Sequence, residues 1–408
     1  MRKKTKILLL TENFPFYPGE QFLEDEVACW SEETEVDLTI APLTMRGEPR
    51  KVPDCIRVDT SLAEYNLKFK HYIKAIFSRL FFIEILDLVK AGCLSIVGLS
   101  SVVKASVRIQ KTFESLMKQG EHYDVIYCYW NDVGAYAAAL AKRAGKCKHL
   151  VSRAHGFDLY EDRRPGNRIP FKRQLLRYFD HVYLISEQAR TYFKTVFGQA
   201  KLSVSRLGVP IVEGVSRPPP GDAIRVLSVS YCVPVKRIER IMAAVIVLAR
   251  KRDDISVEWT HIGDGPLRND LVSRAEEEMR SFSNLKIKFL GALSNQLVRQ
   301  HMADESWDVM INASESEGVP VSIMEAMSYG IPAVATNVGG VAELVTSETG
   351  VLLKADASAE EIAYSIGNNL DVFKSIEFRD GCRRMVRERY NATINYKKFI
   401  RTLTADAG

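Results

Sequence analysis

The stretch Ser314–Gly340 reads SESEGVPVSIMEAMSYGIPAVATNVGG, and its reading decides the fold. WDVMINA (307–313) before it reads as a buried strand. SESEGV is then the loop leaving that strand's carboxyl end. Pro320 sits where a helix can begin, because its missing N–H would have no partner there anyway. VSIMEAMSY (321–329) supplies about two and a half turns. Gly330 stops the helix and Pro332 prevents its resumption. Strand, loop and helix N-terminus together form a site for phosphate, at which free N–H groups and the positive end of the helix dipole both point.

That helix is almost wholly apolar, which predicts that it is buried. Yet it contains Glu325, and a buried carboxylate needs donors. Sugar hydroxyls can supply them, and a nucleotide has two on its ribose. Glu317, in the loop before the helix, can reach a group beyond the phosphates. Spacing alone leaves another reading open, in which Glu317 is a solvated loop acid and Glu325 pairs with a nearby arginine.

Outward from this stretch, apolar runs of strand length alternate with helical patterns. Strands are predicted at 224–230, 257–263, 287–291, 307–312, 333–337 and 350–354, with helices at 237–251 and 267–279 between them. Such alternation means a parallel sheet covered on both faces. The first half repeats it less cleanly. Strands are expected at 6–10, 36–42, 124–130, 149–154 and 181–186, a helix at 21–30, and a long helical region from about Lys68 to Lys118. LGVPIVEGVSRPPPGDA (207–223) suits neither element and reads as a linker. The expected architecture is α/β, with two doubly wound Rossmann-like domains facing across a cleft. Their bounds are 1–206, the linker 207–223, and 224–385, followed by a C-terminal helix in 386–408 that packs back on the first domain. Ligands bind at the carboxyl ends of the strands in such sheets.

A chain of 408 residues suits two domains, and 46% hydrophobic with 26% charged residues is a globular composition. Met1–Leu10 is basic and then apolar, but Thr11 and Glu12 end the run, so it reads as a first strand and not a secretory signal. The seven cysteines are scattered without paired spacing, which argues for free thiols and against a metal or disulfide framework. The net charge of +5 hides an asymmetry. Residues 1–206 hold 32 Lys and Arg against 24 Asp and Glu, whereas the remainder hold 24 against 27. Part of the surplus lies on the helical region, where Lys68, Lys70, Lys74, Arg79 and Lys90 interleave with Phe69, Ile73, Phe77, Leu80, Phe81 and Phe82. More cations follow in RRPGNRIPFKRQLLR (163–177). A basic face beside exposed aromatics suits an anionic lipid surface. The alternative is that the apolar residues are core and the cations face water.

Three further pieces fall at strand ends of the second half. GDGPLR (263–268) offers Gly263 and Gly265 for close backbone approach. VSYCVPVKR (229–237) delivers Lys236 and Arg237, two cations able to neutralise a leaving diphosphate. NVGGVAELV (337–345) gives two glycines and then a helix containing Glu343. Each alone also fits an ordinary βα turn or a solvated helix start.

Together these residues resemble family 4 glycosyltransferases, which have the GT-B fold. The most specific element is Glu317 and Glu325 inside EGVPVSIMEAMSYGIPAVAT, continued by GDGP, by Gly291 in FLGALS and by NVGGVAELV. FPFYPGEQFLEDE (14–26), YCYW (127–130) and SRAHGFDLYEDR (152–163) look like bacterial transferases that build surface polysaccharides. The resemblance implies that Glu325 holds the donor ribose and Glu317 the hydroxyls of the donor sugar. Lys236, aided by Arg237, would bind the diphosphate, and the amides after Gly318, including that of Val319, would touch sugar and phosphate. His155 would contact the donor sugar from the other domain. Gly19 and Glu20 would lie on the acceptor side. It also implies a nucleotide-sugar donor, transfer with retention, no metal or other cofactor, and a front-face mechanism. The acceptor would be a saccharide, lipid-linked. An anionic membrane surface would be the partner and nucleic acid would not. The location would be cytoplasmic, peripheral on the inner face of the membrane. One position departs from the pattern: the family usually has an arginine five residues before the lysine, and here it is Tyr231. Two rival readings are a non-catalytic GT-B scaffold, for which Tyr231 argues, and a nucleotide-sugar epimerase, which generally lacks the two-glutamate arrangement.

Overall fold

The computed structural model describes residues 4–198, 201–219, 221 and 223–407. Met1–Lys3 of the basic N-terminal run, and Pro220 and Asp222 of the linker stretch, lie outside the described residues. The chain divides into two units: Met1–Ser205 together with Tyr396–Gly408, and Arg206–Asn395.

The first unit is built on β1 (Thr5–Thr11), β2 (Val36–Pro42), β3 (Arg57–Val58), β4 (Tyr123–Cys128), β5 (Cys147–Ala154), β6 (His181–Leu184) and β7 (Leu202–Val204). They form one sheet of order β3-β2-β1-β4-β5-β6-β7, with parallel pairing throughout. Ile7, Leu8 and Leu9 are all buried, as expected for a strand covered on both faces. The helix Val133–Arg143 covers one face with an alanine-rich run that is almost wholly buried. The region read from sequence as one long helical stretch is three helices, Phe69–Ile76, Arg79–Lys90 and Ile96–Lys118. Serines mark both breaks. Ser78 Oγ accepts from the Phe81 amide at 3.1 Å, and Ser95 Oγ from the Gly98 amide at 3.0 Å, so each caps the helix that follows.

The last helix is Ala392–Ala407, separated from Ile376–Arg389 by a break at Tyr390 and Asn391. It meets the first unit at a buried charge. Arg153, at the end of β5, donates to Glu26 at 2.5 Å with both side chains fully buried, and Phe399 lies 4.1 Å from its guanidinium carbon. Burial alone would lower the arginine's proton affinity. Glu26 more than reverses this, so Arg153 remains charged.

The second unit holds β8 (Ala223–Val229), β9 (Ser256–Ile262), β10 (Leu285–Phe289), β11 (Val309–Asn312), β12 (Ala333–Thr336) and β13 (Gly350–Leu353), in the order β10-β9-β8-β11-β12-β13 and all parallel. Val226, Trp259, Val309 and Ile311 lie in its core. A polar chain runs inside it. Trp259 Nε1 donates to Ser228 Oγ at 2.8 Å, and Ser228 Oγ lies 2.8 Å from His261 Nδ1, while His261 Nε2 faces Cys232 Sγ at 3.4 Å. Burial pushes His261 down to about 4, so it is neutral at physiological pH.

The stretch read as a linker is held against the second unit along its described residues. The Val209 amide donates to Tyr390 O, and the Ala392 amide to Val209 O. A side chain at Gly208 would sit 2.5 Å from Ala392 Cα, so glycine is needed for that approach. Farther on, the buried Arg379 donates to Ser216 O at 2.7 Å and to Trp307 O at 3.0 Å. A proline-rich composition marked the irregular backbone correctly but said nothing of these anchors.

Arg153→Met is expected to lower stability by about 3–5 kcal/mol, because Glu26 is left charged, buried and unpaired. Adding Glu26→Leu should recover most of that loss in urea unfolding. His261 sets a pH dependence of opposite origin. Its folded proton affinity lies below that of the unfolded chain, about 6.5. Between roughly 6.5 and 4 the unfolded chain therefore binds a proton that the folded one refuses, and stability falls with falling pH, by about 3 kcal/mol over the window. Urea unfolding at pH 7 and pH 5 should show a smaller difference for His261→Gln than for the native chain.

Candidate functional site

In each sheet the strand order reverses beside the first strand, between β1 and β4 and between β8 and β11. Loops leaving the carboxyl ends of such a pair diverge and open a crevice for ligand. In the second unit these loops carry Lys236 and Glu317. The loop after β8 ends in a short 3-10 turn, Pro234–Lys236, and the Glu315 amide donates to Val235 O at 2.8 Å, tying the two loops together. Lys236 Nζ then lies 2.6 Å from Glu317 Oε1. The same oxygen accepts from Ser314 Oγ at 2.6 Å and from Asn312 Nδ2 at 3.1 Å. Burial pushes the Glu317 carboxyl up, but the Lys236 charge and these donors outweigh it, and the net shift is downward. Glu317 is thus an ionised, buried carboxylate, not a solvated loop acid.

The loop is fixed from a third side. The Gly340 amide donates to Gly318 O at 2.6 Å, and Thr336 Oγ1 donates to Ser314 O at 2.6 Å. Gly339 has φ +53°, and a Cβ there would lie 1.9 Å from Glu317 O. NVGG is therefore the clasp of the glutamate loop. The expected helix after it is only a 3-10 turn, Gly339–Glu343, and Glu343 does not join the cluster: its carboxylate binds Arg206 at 2.8 Å. The GDGP turn packs on the loop after β8 in a similar way. A Cβ at Gly263 would meet Ser230 O at 1.8 Å and one at Gly265 would meet Cys232 O at 2.6 Å. Tyr231, between those two residues, is 48% exposed. Arg237, in the left-handed region at φ +50°, donates to Ala355 O and lies 3.4 Å from Glu315.

The helix of the quoted stretch runs Val321–Ser328, directly after Pro320. The Ile323 and Met324 amides donate to Pro320 O at 3.2 and 3.4 Å, and the amides of Val321 and Ser322 precede the first of these bonds. Val319 and Glu325 are buried. Arg299 Nε donates to Glu325 Oε1 at 3.2 Å. Glu325 thus has the arginine partner that the alternative reading of the sequence named.

His155, Gly19 and Glu20 belong to the first unit. Glu20 spans the β1 and β4 loops: Oε2 accepts from the Asn13 and Phe14 amides at 2.6 Å each, and Oε1 from the Glu12 amide at 3.1 Å and Trp130 Nε1 at 2.6 Å. Gly19 O accepts from Arg50. Glu20 thus uses both oxygens in shaping the loop. His155 follows β5, with its ring stacked 4.6 Å from Tyr129 and 4.6 Å from Trp130. Asp158 holds the turn, accepting from the His155, Gly156 and Asn131 amides. Nδ1 of His155 is 3.8 Å from Asp158 Oδ2, and neither ring nitrogen has a hydrogen-bond partner among the described residues. The cations of 163–177 are not a free patch. Arg164 binds Asp132, Arg168 binds Glu84, Arg173 binds Glu161, and Lys172 is buried and donates to Asp158 O.

Sequence reasoning missed Asn312, Ser314 and Arg299. The first two were within reach, because polar residues at the end of an apolar strand, as in MINAS, need a reason to be there. Nothing in sequence spacing linked Arg299 to Glu325.

Residues 223–371 match the family described as Glycosyl transferases group 1. A colanic acid biosynthesis glycosyltransferase of Escherichia coli is 25% identical over 293 residues, covering 69% of this chain and 70% of the relative. Among solved structures, Anabaena HepE in complex with UDP and glucose superposes with a TM-score of 0.65 at 19% identity, over 98% of this chain and 99% of that one. The lipopolysaccharide outer core galactosyltransferase WaaB does so with 0.67 at 17% identity, over 98% and 100%. With two parallel doubly wound sheets, a paired lysine and glutamate at the switch point of the second, and these similarities, residues 223–371 match a group 1 glycosyl transferase domain and the chain is a glycosyltransferase of GT-B fold.

Proposed function

We propose that the chain moves a sugar, with retention, from a nucleotide-sugar donor to a lipid-linked saccharide acceptor during polysaccharide assembly, without a metal. The observation that carries the reading is the Lys236–Glu317 pair beside the N-terminus of Val321–Ser328. A diphosphate placed there meets an ammonium and free helix amides, the charges that a leaving nucleotide needs. Arg237 adds a second cation on the same loop. Glu317 then accepts from hydroxyls of the donor sugar, the amides of Gly318 and Val319 touch sugar and phosphate, and Glu325 takes the ribose hydroxyls, with Arg299 orienting its carboxylate. Tyr231 and the turn at Gly263 and Gly265 line the approach to the diphosphate. His155, whose ring nitrogens are unpartnered, serves the transfer step. The similarity to a colanic acid enzyme supports the polysaccharide context, and the complex of HepE with UDP and glucose supports a nucleotide-sugar donor.

Glu317 is held by three protein donors through one oxygen and is stabilised as the anion, which makes it a poor base. The proton of the acceptor hydroxyl therefore passes to an oxygen of the departing diphosphate. The acceptor oxygen bonds to the anomeric carbon on the face from which the diphosphate leaves, and the bond from that carbon to the phosphate oxygen breaks. In this reading Glu317 binds the sugar and is not the nucleophile of a double-displacement route. The deciding assay is a panel of nucleotide sugars with purified protein, scored by released nucleotide; no release from any donor would favour the non-catalytic scaffold.

Glu325→Ala is expected to raise the donor Kd at least about tenfold, the worth of a hydrogen bond to a charged group. Glu317→Gln should lower kcat by about a hundredfold while leaving nucleotide affinity within about threefold, since its contacts are with the sugar. Wild-type kinetics in both variants would remove the site assignment. Full activity is also expected in excess EDTA, because Lys236 and the helix N-terminus carry the charge. A loss in chelator that Mg²⁺ or Mn²⁺ restores would overturn the metal-free mechanism.

A further inference from the structure

Soluble helices normally turn their apolar stripe inward. The three helices between β3 and β4 do so only in part. In Phe69–Ile76 the buried positions are His71 and Ala75, while Phe69 is 77% exposed and Phe77, just past its end, 73%. Arg79–Lys90 buries Phe81, Glu84 and Leu88 and exposes Phe82 and Leu86, one turn apart. Ile96, at the start of the third, is 90% exposed. About half of the exposed large hydrophobic side chains among the described residues lie between Leu67 and Leu99. This is a second apolar stripe facing away from the core, and it exceeds what scattered surface residues explain. Leu80 and Phe81, counted from sequence with the exposed set, pack inward.

The charges on this surface are one-sided. Lys68, Lys70, Lys74, Arg79 and Lys90 are exposed. Between Leu67 and Leu99 the carboxylates are Glu84 and Asp87. Glu84 is turned inward onto Arg168 and Gln174, and Asp87 is half-buried. Lys70 and Lys74 reach Glu114 on the third helix but keep about half their side-chain surface. Cations at the rim and aromatics between them suit helices lying in a bilayer interface, with the rings below the headgroups and the ammonium groups among the phosphates. A second copy of the chain would set lysine against lysine and is disfavoured. No helix among the described residues is long and apolar enough to cross a membrane, so the attachment is peripheral.

We infer that the exposed face of residues 67–99 is a docking surface for an anionic lipid bilayer. It would bring the first unit to where a lipid-carried acceptor is found, a purpose that rests on the proposed function, whereas binding itself needs neither donor nor acceptor.

The test is flotation of the full chain with phosphatidylcholine vesicles with and without phosphatidylglycerol. Binding is expected only with the anionic lipid and should weaken with added salt. Lys68→Glu and Lys90→Glu should each reduce the partition constant about fivefold or more, and Phe77→Ser with Ile96→Ser should abolish flotation. All these residues are exposed, so the variants are expected to fold, and donor turnover on a soluble acceptor should be unchanged. Absence of flotation at low salt, equal binding to neutral vesicles, or a concentration-dependent dimer that only the Phe77 and Ile96 variant loses would each overturn the inference. Loss of nucleotide release with flotation intact would instead strike the transferase reading.

Discussion

The contact between Lys236 and Glu317 is the constraint on which the second unit's site depends. Each residue sits in a loop leaving a different strand, β8 and β11, at the point where the sheet reverses order. A buried carboxylate without donors would cost several kcal/mol or take up a proton. Lys236, Ser314 and Asn312 meet that demand, and by doing so they fix two loops in one geometry. The glycines follow from the same constraint. Gly339 is needed because the clasp from β12 runs so close to Glu317 O that a Cβ has no room. In the proposed reading an incoming diphosphate shares a lysine already held in place, so little side-chain freedom is lost on binding.

The first unit uses the same device for a different end. Glu20 and Asp158 also stand at carboxyl ends of strands, but their oxygens are met largely by backbone amides. Backbone donors cannot turn toward a ligand without unmaking the loop, so those carboxylates serve shape. Glu317 is met by three side chains, and side-chain donors can be shared with or released to a ligand. Glu325 differs from both, its Oε1 accepting from the Arg299 side chain. The distinction separates carboxylates that build a crevice from those that can work in it. It also gives Glu20, set on the acceptor side by resemblance, a part in shaping the loop.

Whatever was local was legible in the sequence. Pro320, Gly330 and Pro332 bracketed the helix, alternation of apolar runs marked most strands, and two glutamates in an apolar context marked the pair of buried carboxylates. What was not legible depended on partners far along the chain. Arg299 is 26 residues from Glu325, and Arg206 is 137 from Glu343. The breaks at Ser78 and Ser95 were missed because an unbroken apolar pattern outweighed single capping residues. The two-residue β3 and the three-residue β7 are too short to show any period.

Tyr231 gains a clearer meaning from these contacts. Its neighbours fix the backbone: the Ser230 amide donates to Ile262 O, the Cys232 amide to Asp264 O, and Gly263 and Gly265 press against Ser230 O and Cys232 O. None of these uses the side chain at 231, which is half exposed. These backbone bonds can hold the turn with arginine or tyrosine at 231, and the departure removes a charge. Arg237 stands six residues on, but its guanidinium is already engaged by Ala355 O and Glu315. In the proposed reading the diphosphate charge consequently falls mainly on Lys236 and the helix N-terminus, with Arg237 adding its charge from the same loop. An arginine restored at 231 would add to an intact site, which is why the substitution argues for a weaker donor grip and not for a chain that has lost turnover.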